Sequence, residues 1–249
     1  MNSSAAGAAP LLRALLFNVL FFGWTGLLCV LGLPLLALPR VATVRYARLW
    51  LRATLAMLAG VVGLRHELRG AALLPAGPAI LAVKHQSAWE TMALNLLFPD
   101  PAFVLKRELY WIPFFGWYLA RSGQIALDRS AGAGAMKKML RLAKEVAAAG
   151  RRIVIFPEGT RVAPGETRIY QPGIAGLYGA LGLPVVPVAL NSGVFWRRRG
   201  FLKRPGTIVV EVLPAIPPGL KREEFMARLE TSIETATAKL VDEARRNPR

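Results

Sequence analysis

Lys84-His85-Gln86-Ser87-Ala88-Trp89-Glu90-Thr91 joins an apolar run, Ala79-Ile80-Leu81-Ala82-Val83, to a helical pattern running from Trp89 to Leu97. The run reads as a buried strand, and Ser87 as the N-cap of the helix that follows. His85, one of only two histidines in the chain, therefore lies at a strand-to-helix turn. Glu90 lies about one helical turn further on. At that spacing the carboxylate can reach back to one imidazole nitrogen. This would fix the tautomer and leave the other nitrogen free to accept a proton. The competing reading is a satisfied polar pair at a helix start.

A second turn of the same kind lies downstream. Phe156-Pro157-Glu158-Gly159-Thr160-Arg161 follows the apolar run Ile153-Val154-Ile155. Between the two turns come Lys106-Arg107-Glu108-Leu109 and then Ile112-Pro113-Phe114-Phe115-Gly116. A fourth block is Val185-Val186-Pro187-Val188-Ala189-Leu190. In order and spacing these resemble the four motifs of the glycerolipid acyltransferases, and most closely the lysophosphatidic acid (1-acyl-sn-glycerol-3-phosphate) acyltransferases. The resemblance covers roughly residues 64 to 213. One departure is that the usual His-x4-Asp is here His-x4-Glu, as in some relatives that include lipid A acyltransferases.

The resemblance implies transfer of a fatty acyl chain from a thioester, acyl-CoA or acyl carrier protein, to the sn-2 hydroxyl of lysophosphatidic acid. The product would be phosphatidic acid, in phospholipid biosynthesis. It implies His85 as base, and Glu158, Gly159, Thr160 and Arg161 as acceptor-binding residues. An arginine that closely follows a glycine suits a phosphate, since backbone and guanidinium can both approach. Lys106, Arg107 and Arg129 are secondary cationic candidates. Lys106, or backbone amides at the start of the helix after His85, would stabilise an oxyanion. Ser87 lacks the Gly-x-Ser-x-Gly elbow and reads as a cap rather than a nucleophile. Two rivals stand beside this reading: an acyltransferase acting on lyso-ornithine lipid or another lysolipid, and a non-catalytic basic protein docked on anionic membranes.

Composition agrees with a lipid partner. The chain of 249 residues is 54% hydrophobic and carries a formal net charge of +17. Such a charge calls for a polyanionic partner or surface. The long uncharged runs favour anionic lipid over nucleic acid. Cys29 is the single cysteine and lies in an apolar run, which argues against disulfides, zinc clusters and a thiol nucleophile. No metal site is visible, and no cofactor is implied beyond the thioester co-substrate.

The N-terminal region reads as a membrane anchor over residues 1–63, ahead of an α/β domain over 64–249. Residues 1–10 are small and polar, and a disordered terminus is expected. Ala14 to Pro39 carries no charge. As a helix that run is roughly 37 Å long, enough to span a bilayer or to bend at Pro34 and re-enter. A cleaved signal peptide is the rival. Over 41–63, Val44, Ala47, Leu51, Leu55, Leu58 and Val62 recur at helical spacing beside Arg45, Arg48 and Arg52. That pattern predicts a basic amphipathic helix in the membrane interface, the rival being an ordinary surface helix packed on the core. The arginines after residue 40 place the rest of the chain on the cytoplasmic side of the inner membrane.

The remainder alternates strand and helix. Strands are predicted at 64–68, 79–84, 102–106, 124–127, 152–156, 185–190 and 207–213. Helices are predicted at 88–97, 114–121, 133–149, 174–182 and 221–245. This alternation predicts an α/β fold with a mainly parallel central sheet flanked by helices. His66 falls on the polar phase of its strand and reads as exposed. Tyr110, Trp111, Phe114, Phe115 and Trp117 would line an acyl tunnel or pack the core, and core is the default for most of them. Phe195 and Trp196 with Arg197-Arg198-Arg199 resemble an interfacial loop, the rival being a solvated basic loop.

Overall fold

The chain opens with a helical hairpin. Helix α1 (Ser3–Leu31) leads through a 3-10 turn at Leu33–Ala37 into α2 (Arg40–Met57). The computed structural model describes residues 3–128 and 132–246. The Tyr46 hydroxyl donates to the Leu28 carbonyl over 2.8 Å, and Trp50 Nε1 donates to Thr25 Oγ1 over 2.9 Å. As α2 advances its partners on α1 recede, so the helices are antiparallel. The expected irregular stretch at 1–10 is helical from Ser3 onward, where alanines at 5, 6, 8 and 9 favour helix. Residues 1 and 2 lie outside the described residues.

Helix α1 has two unlike faces. Ala14 and Phe17 are fully buried, whereas Leu12, Val19, Phe22 and Val30 are exposed. The buried side is tied down at its middle and near its end. At its middle, Lys203 Nζ donates to Asn18 Oδ1 over 2.8 Å and sits 4.9 Å from the Trp196 ring and 5.4 Å from Phe17. Near its end, the Tyr118 hydroxyl donates to the Cys29 carbonyl over 2.8 Å. The apolar stripe of α2 departs from expectation. Leu51, Leu55, Leu58 and Val62 are buried in the protein core rather than presented to lipid. The reason is that α1 and the sheet offer them a closer apolar surface. Arg45 and Arg52 stay exposed, while the Arg48 guanidinium turns in to donate to the Asn95 carbonyl over 2.7 Å.

A π turn at Leu58–Val62 and Gly63, at φ +78°, lead into the sheet. Then follow β1 (Leu64–Arg69), β2 (Ile80–Val83), α3 (Trp89–Leu97), β3 (Ala102–Lys106), α4 (Phe115–Arg121) and β4 (Ile125–Leu127). After these come α5 (Gly132–Ala148), β5 (Ile153–Ile155), α6 (Gly173–Leu181), β6 (Val185–Leu190), α7 (Ser192–Phe195), β7 (Gly206–Val212) and α8 (Arg222–Arg246). The seven strands lie in the order β1-β7-β6-β2-β5-β3-β4. Every pairing is parallel except β6 with β7. Parallel neighbours need crossover connections, which the intervening helices provide. The predicted strands and helices match to within a residue or two. His66 is exposed, as its phase predicted. Four-residue α7 is additional, being too short for a periodic signal.

Period-two alternation in β2 decides which helices face the site. Leu81 and Val83 belong to a core shared with α1, α2 and α3. Ile80 and Ala82 belong to the opposite core, built with α5, α6 and the first half of α8. His85 continues the odd-numbered face and Lys84 the even-numbered one. The base candidate therefore looks toward the N-terminal hairpin. Residue 63 marks a change of secondary structure rather than a break in packing, since Phe17, Leu58 and Val62 share one core with Leu81 and Val186.

The aromatic stretch before α4 is not core. Trp111 is 70% exposed and Trp117 50%, with Leu109, Ile112 and Phe114 also exposed. A 3-10 turn over Arg107–Trp111 and a left-handed Phe114, at φ +60°, push this ridge outward beside the end of α1.

Candidate active site

The His85 imidazole donates from Nδ1 to Glu90 Oε1 over 2.9 Å. Glu90 is completely buried, and its carboxylate is saturated. Oε1 also accepts the backbone N–H groups of Gln86, at 2.7 Å, and Ser87, at 2.6 Å. Oε2 accepts the hydroxyls of Ser87, at 2.7 Å, and Ser192, at 2.8 Å. Burial alone would raise the carboxyl pKa. The hydrogen bond and charge of His85, with the Ser87 donors, more than reverse this and hold Glu90 below its ordinary value. The carboxylate thus fixes the Nδ1–H tautomer and leaves the Nε2 lone pair available as a base. The Phe156 ring stacks on the imidazole at 4.0 Å between centroids and 17° between planes, which fixes the ring's tilt.

Ser87 is fully buried; its Oγ accepts the Trp89 N–H over 3.0 Å while donating to Glu90. Ala88 rather than Ser87 flanks the helix, so Ser87 stands one position before the expected cap; these bonds still occupy its hydroxyl and leave none for nucleophilic attack. The same bonds remove one expected oxyanion site. The amides of Gln86 and Ser87 at the start of α3 already serve Glu90 and are not available to a substrate.

The second turn is joined to the first through backbone. The Val162 N–H donates to the His85 carbonyl over 2.8 Å. The turn closes where the Gly159 N–H reaches the Phe156 carbonyl over 3.0 Å, with Gly159 at φ +68°, a conformation that suits glycine. His85, Lys106, Gly159, Thr160 and Arg161 line one cleft of about 840 Å³. Its other walls are apolar and come partly from the hairpin, through Leu28, Val44, Ala47 and Leu51. Among the described residues no carboxylate pairs with Arg161, so its guanidinium is free to meet an anion.

Two expected acceptor residues lie elsewhere. Glu158 is buried and turned away from the cleft, with Oε1 3.1 Å from Lys84 Nζ. A carboxylate cannot readily cradle a phosphate, and burial drives Glu158 to the cation behind it. Burial raises its pKa, and Lys84 offsets that only in part. Arg107 points to solvent and pairs with Asp128 over 3.0 Å. Arg129 lies outside the described residues.

Other residues at the site were not foreseen. Ser192 is one, and Gln86, whose Oε1 accepts the Gly193 N–H over 2.9 Å, is another. The available signal was Asn191-Ser192-Gly193, a polar triplet placed directly after an apolar strand. Arg198 and Arg199 also line the cleft, with an Arg198 Nη1 bond of 3.3 Å to the Arg161 carbonyl.

Comparisons with known proteins converge on one group. Residues 65–191 match the family model described as acyltransferase. A 1-acyl-sn-glycerol-3-phosphate acyltransferase of Pseudomonas aeruginosa is 41% identical over 167 residues, covering 67% of this chain and 65% of the relative. The chain thus spans just under two-thirds of that relative's length. A 1-acyl-sn-glycerol-3-phosphate acyltransferase alpha of Ovis aries is 30% identical over 216 residues, covering 85% of this chain and 75% of the relative. The fold matches the crystal structure of the 1-acyl-sn-glycerophosphate (LPA) acyltransferase PlsC from Thermotoga maritima with a TM-score of 0.71 at 21% identity. That match covers 92% of this chain and 95% of the other.

Proposed function

The chain belongs to the acyltransferase family, and from that premise we propose that it acylates the sn-2 hydroxyl of lysophosphatidic acid, giving phosphatidic acid. The observation that carries the reading is one cleft lined both by His85, held from behind by Glu90, and by Arg161, which pairs with no carboxylate among the described residues. The names of the Pseudomonas and Ovis relatives support the acceptor.

In this reading His85 Nε2 removes the proton of the acceptor hydroxyl. The hydroxyl oxygen attacks the thioester carbonyl and forms a tetrahedral adduct. The carbon–sulfur bond then breaks, and the imidazolium returns its proton to the departing thiolate. Glu90 keeps the ring oriented and stabilises the imidazolium, the division of labour of a His–Asp pair. The acceptor hydroxyl does the work of a serine, so no acyl-enzyme forms. Arg161, with the Gly159–Thr160 backbone, holds the phosphate. Lys106, at the end of β3, is left as the oxyanion candidate. The apolar part of the cleft takes acyl chain. The donor is a fatty acyl thioester, either acyl-CoA or acyl carrier protein.

The membrane reading rests on α1. Residues Ala9–Leu31 are long and apolar enough to cross a bilayer, but the helix is bound to the domain at its middle and near its C-terminal end. We place α1 along the inner membrane at its cytoplasmic surface, with its exposed leucines, valines and Phe22 in lipid. The ridge from Leu109 to Trp117 extends the same apolar surface. The test is a panel of lysolipid acceptors with one acyl donor, reading thiol release and lipid product. Preference for lysophosphatidic acid over lyso-ornithine lipid is expected. Absence of thioester turnover would favour the non-catalytic docking protein.

A further inference from the structure

The even-numbered face of β2 ends in a buried charge cluster that the chemistry above does not use. Lys84 is 1% exposed and directly precedes His85. Its Nζ lies 3.1 Å from Glu158 Oε1, and 2.7 and 2.8 Å from the two oxygens of Glu234. Glu234 also accepts the hydroxyl of buried Tyr170 over 2.8 Å. Tyr170 belongs to the segment after the second turn, and its neighbour Gln171 donates its backbone N–H to the Pro157 carbonyl over 2.8 Å. Glu234 comes from α8, beyond the stretch 65–191 that matches the family model.

We propose that Glu234 is a positioning residue that clamps the two turns of the active site together from behind the sheet. One carboxylate holds Lys84, at the root of the His85 turn, and Tyr170, at the foot of the Glu158–Arg161 turn. Through Lys84 it also fixes Glu158, whose Oε1 lies 3.4 Å from the His85 backbone nitrogen as acceptor. The acceptor proton must meet His85 while the acceptor phosphate meets Arg161. A relative displacement of the two turns therefore separates base from hydroxyl, and about 1 Å can cost a hundredfold in rate. The cluster does not touch substrate and acts only through these two backbones.

The charge balance gives a second signature. With both carboxylates ionised, Lys84, Glu158 and Glu234 together carry a formal net charge of one negative unit behind His85. Among the described residues, the other charged or titratable groups facing the cluster and the imidazole are Tyr170, Glu230 and Glu90, with Lys106, Arg161, Arg198 and Arg199 on the cleft side. Removing Glu234 makes the cluster neutral, which disfavours the imidazolium.

This inference rests on the acyl-transfer reading, and its test separates the two. The full chain is prepared in detergent as wild type, Glu234→Ala, Glu234→Gln and Glu243→Ala. The last breaks the 2.9 Å bond between the same helix and Arg69, away from the site. Steady-state kinetics use lysophosphatidic acid and an acyl thioester, well below each variant's melting temperature. The titration of His85 is followed by NMR, assigned with His66→Gln.

Glu234→Ala is expected to lower kcat about tenfold or more, with both KM values within about twofold. Glu234→Gln, which keeps an acceptor oxygen, should fall between it and wild type. The His85 titration should move to lower pH in both, and Glu243→Ala should match wild type in every readout. Unchanged kcat and unchanged His85 titration in a folded Glu234→Ala would overturn the proposal, as would an equal loss in Glu243→Ala or a loss confined to KM. If wild type turned over no acceptor, the acyl-transfer reading would fail; joint movement of the backbone amide resonances of His85 and Gly159 in Glu234→Ala, absent in Glu243→Ala, would still support the clamp, and their constancy would overturn it.

Discussion

Ser192 and Glu90 lie 102 positions apart in sequence, yet the serine hydroxyl donates to Glu90 Oε2 over 2.8 Å. The contact exists because β6 pairs with β2, so the turns leaving both strands emerge side by side. Ser192→Ala removes one charge-assisted bond from a buried carboxylate. A stability loss of roughly 1.5–3 kcal/mol is expected, with a smaller loss of turnover because the His85 bond remains. Urea unfolding and kcat measured on the same preparation check this.

His85→Ala is expected to lower kcat by roughly 10²–10⁴-fold, with a stability loss of roughly 1.5–3 kcal/mol because, like Ser192→Ala, it removes one bond from buried Glu90. Glu90→Gln should cost less. A glutamine can keep its oxygen where Oε1 accepts three N–H donors. Its NH2 would then face the Ser87 and Ser192 hydroxyls, which can rotate to accept. Near-normal turnover of His85→Ala would remove the base from the mechanism.

Glu90 is held below the ordinary carboxylate range, so its contribution to stability is present above about pH 4, the unfolded value. It is lost as the pH falls through the lower folded value. Wild type should therefore exceed Glu90→Gln in urea midpoint most at neutral pH, and the gap should close progressively below about pH 4. A gap independent of pH would mean that the glutamine acts by shape alone.

Arg161→Lys keeps the charge but loses the planar fork. The KM for lysophosphatidic acid should rise while that for the acyl donor moves little, and kcat/KM should fall about tenfold or more. A lyso-ornithine lipid lacks the phosphate and should depend much less on Arg161. Equal losses with both acceptors would assign Arg161 to the fold or the donor.

The two faces of α1 can be tested apart. Leu16→Glu with Val19→Glu alters exposed positions and should weaken vesicle binding with little change in melting temperature. Phe17→Ala opens a cavity in the shared core and should cost roughly 3–5 kcal/mol in stability. Vesicle flotation and thermal unfolding of both variants distinguish anchoring from packing.

The strands and helices were legible because apolar runs and helical periodicity are local properties of the chain. His85, Glu90 and the Gly159–Arg161 turn were legible because each falls where an apolar run ends. The fate of Glu158 was not, because its partner Lys84 sits on the opposite phase of another strand and the pairing needs the sheet. The stripe Leu51, Leu55, Leu58 and Val62 misled for a related reason. A helix carries the same apolar pattern whether it meets lipid or α1, and only the returning hairpin decides. The exposed ridge at Trp111 and Trp117 runs against the rule that aromatics seek the core, a rule written for water as the only solvent.

The hairpin that walls the cleft with Leu28 and Val44 also carries the apolar exterior of the molecule. On the proposed reading, acceptor and product travel sideways between bilayer and cleft without passing through water. The concentration that governs turnover is then the number of lysolipid molecules per unit area of bilayer. Diluting the acceptor with inert lipid at constant bulk concentration should slow the enzyme, whereas adding more vesicles of fixed composition should not.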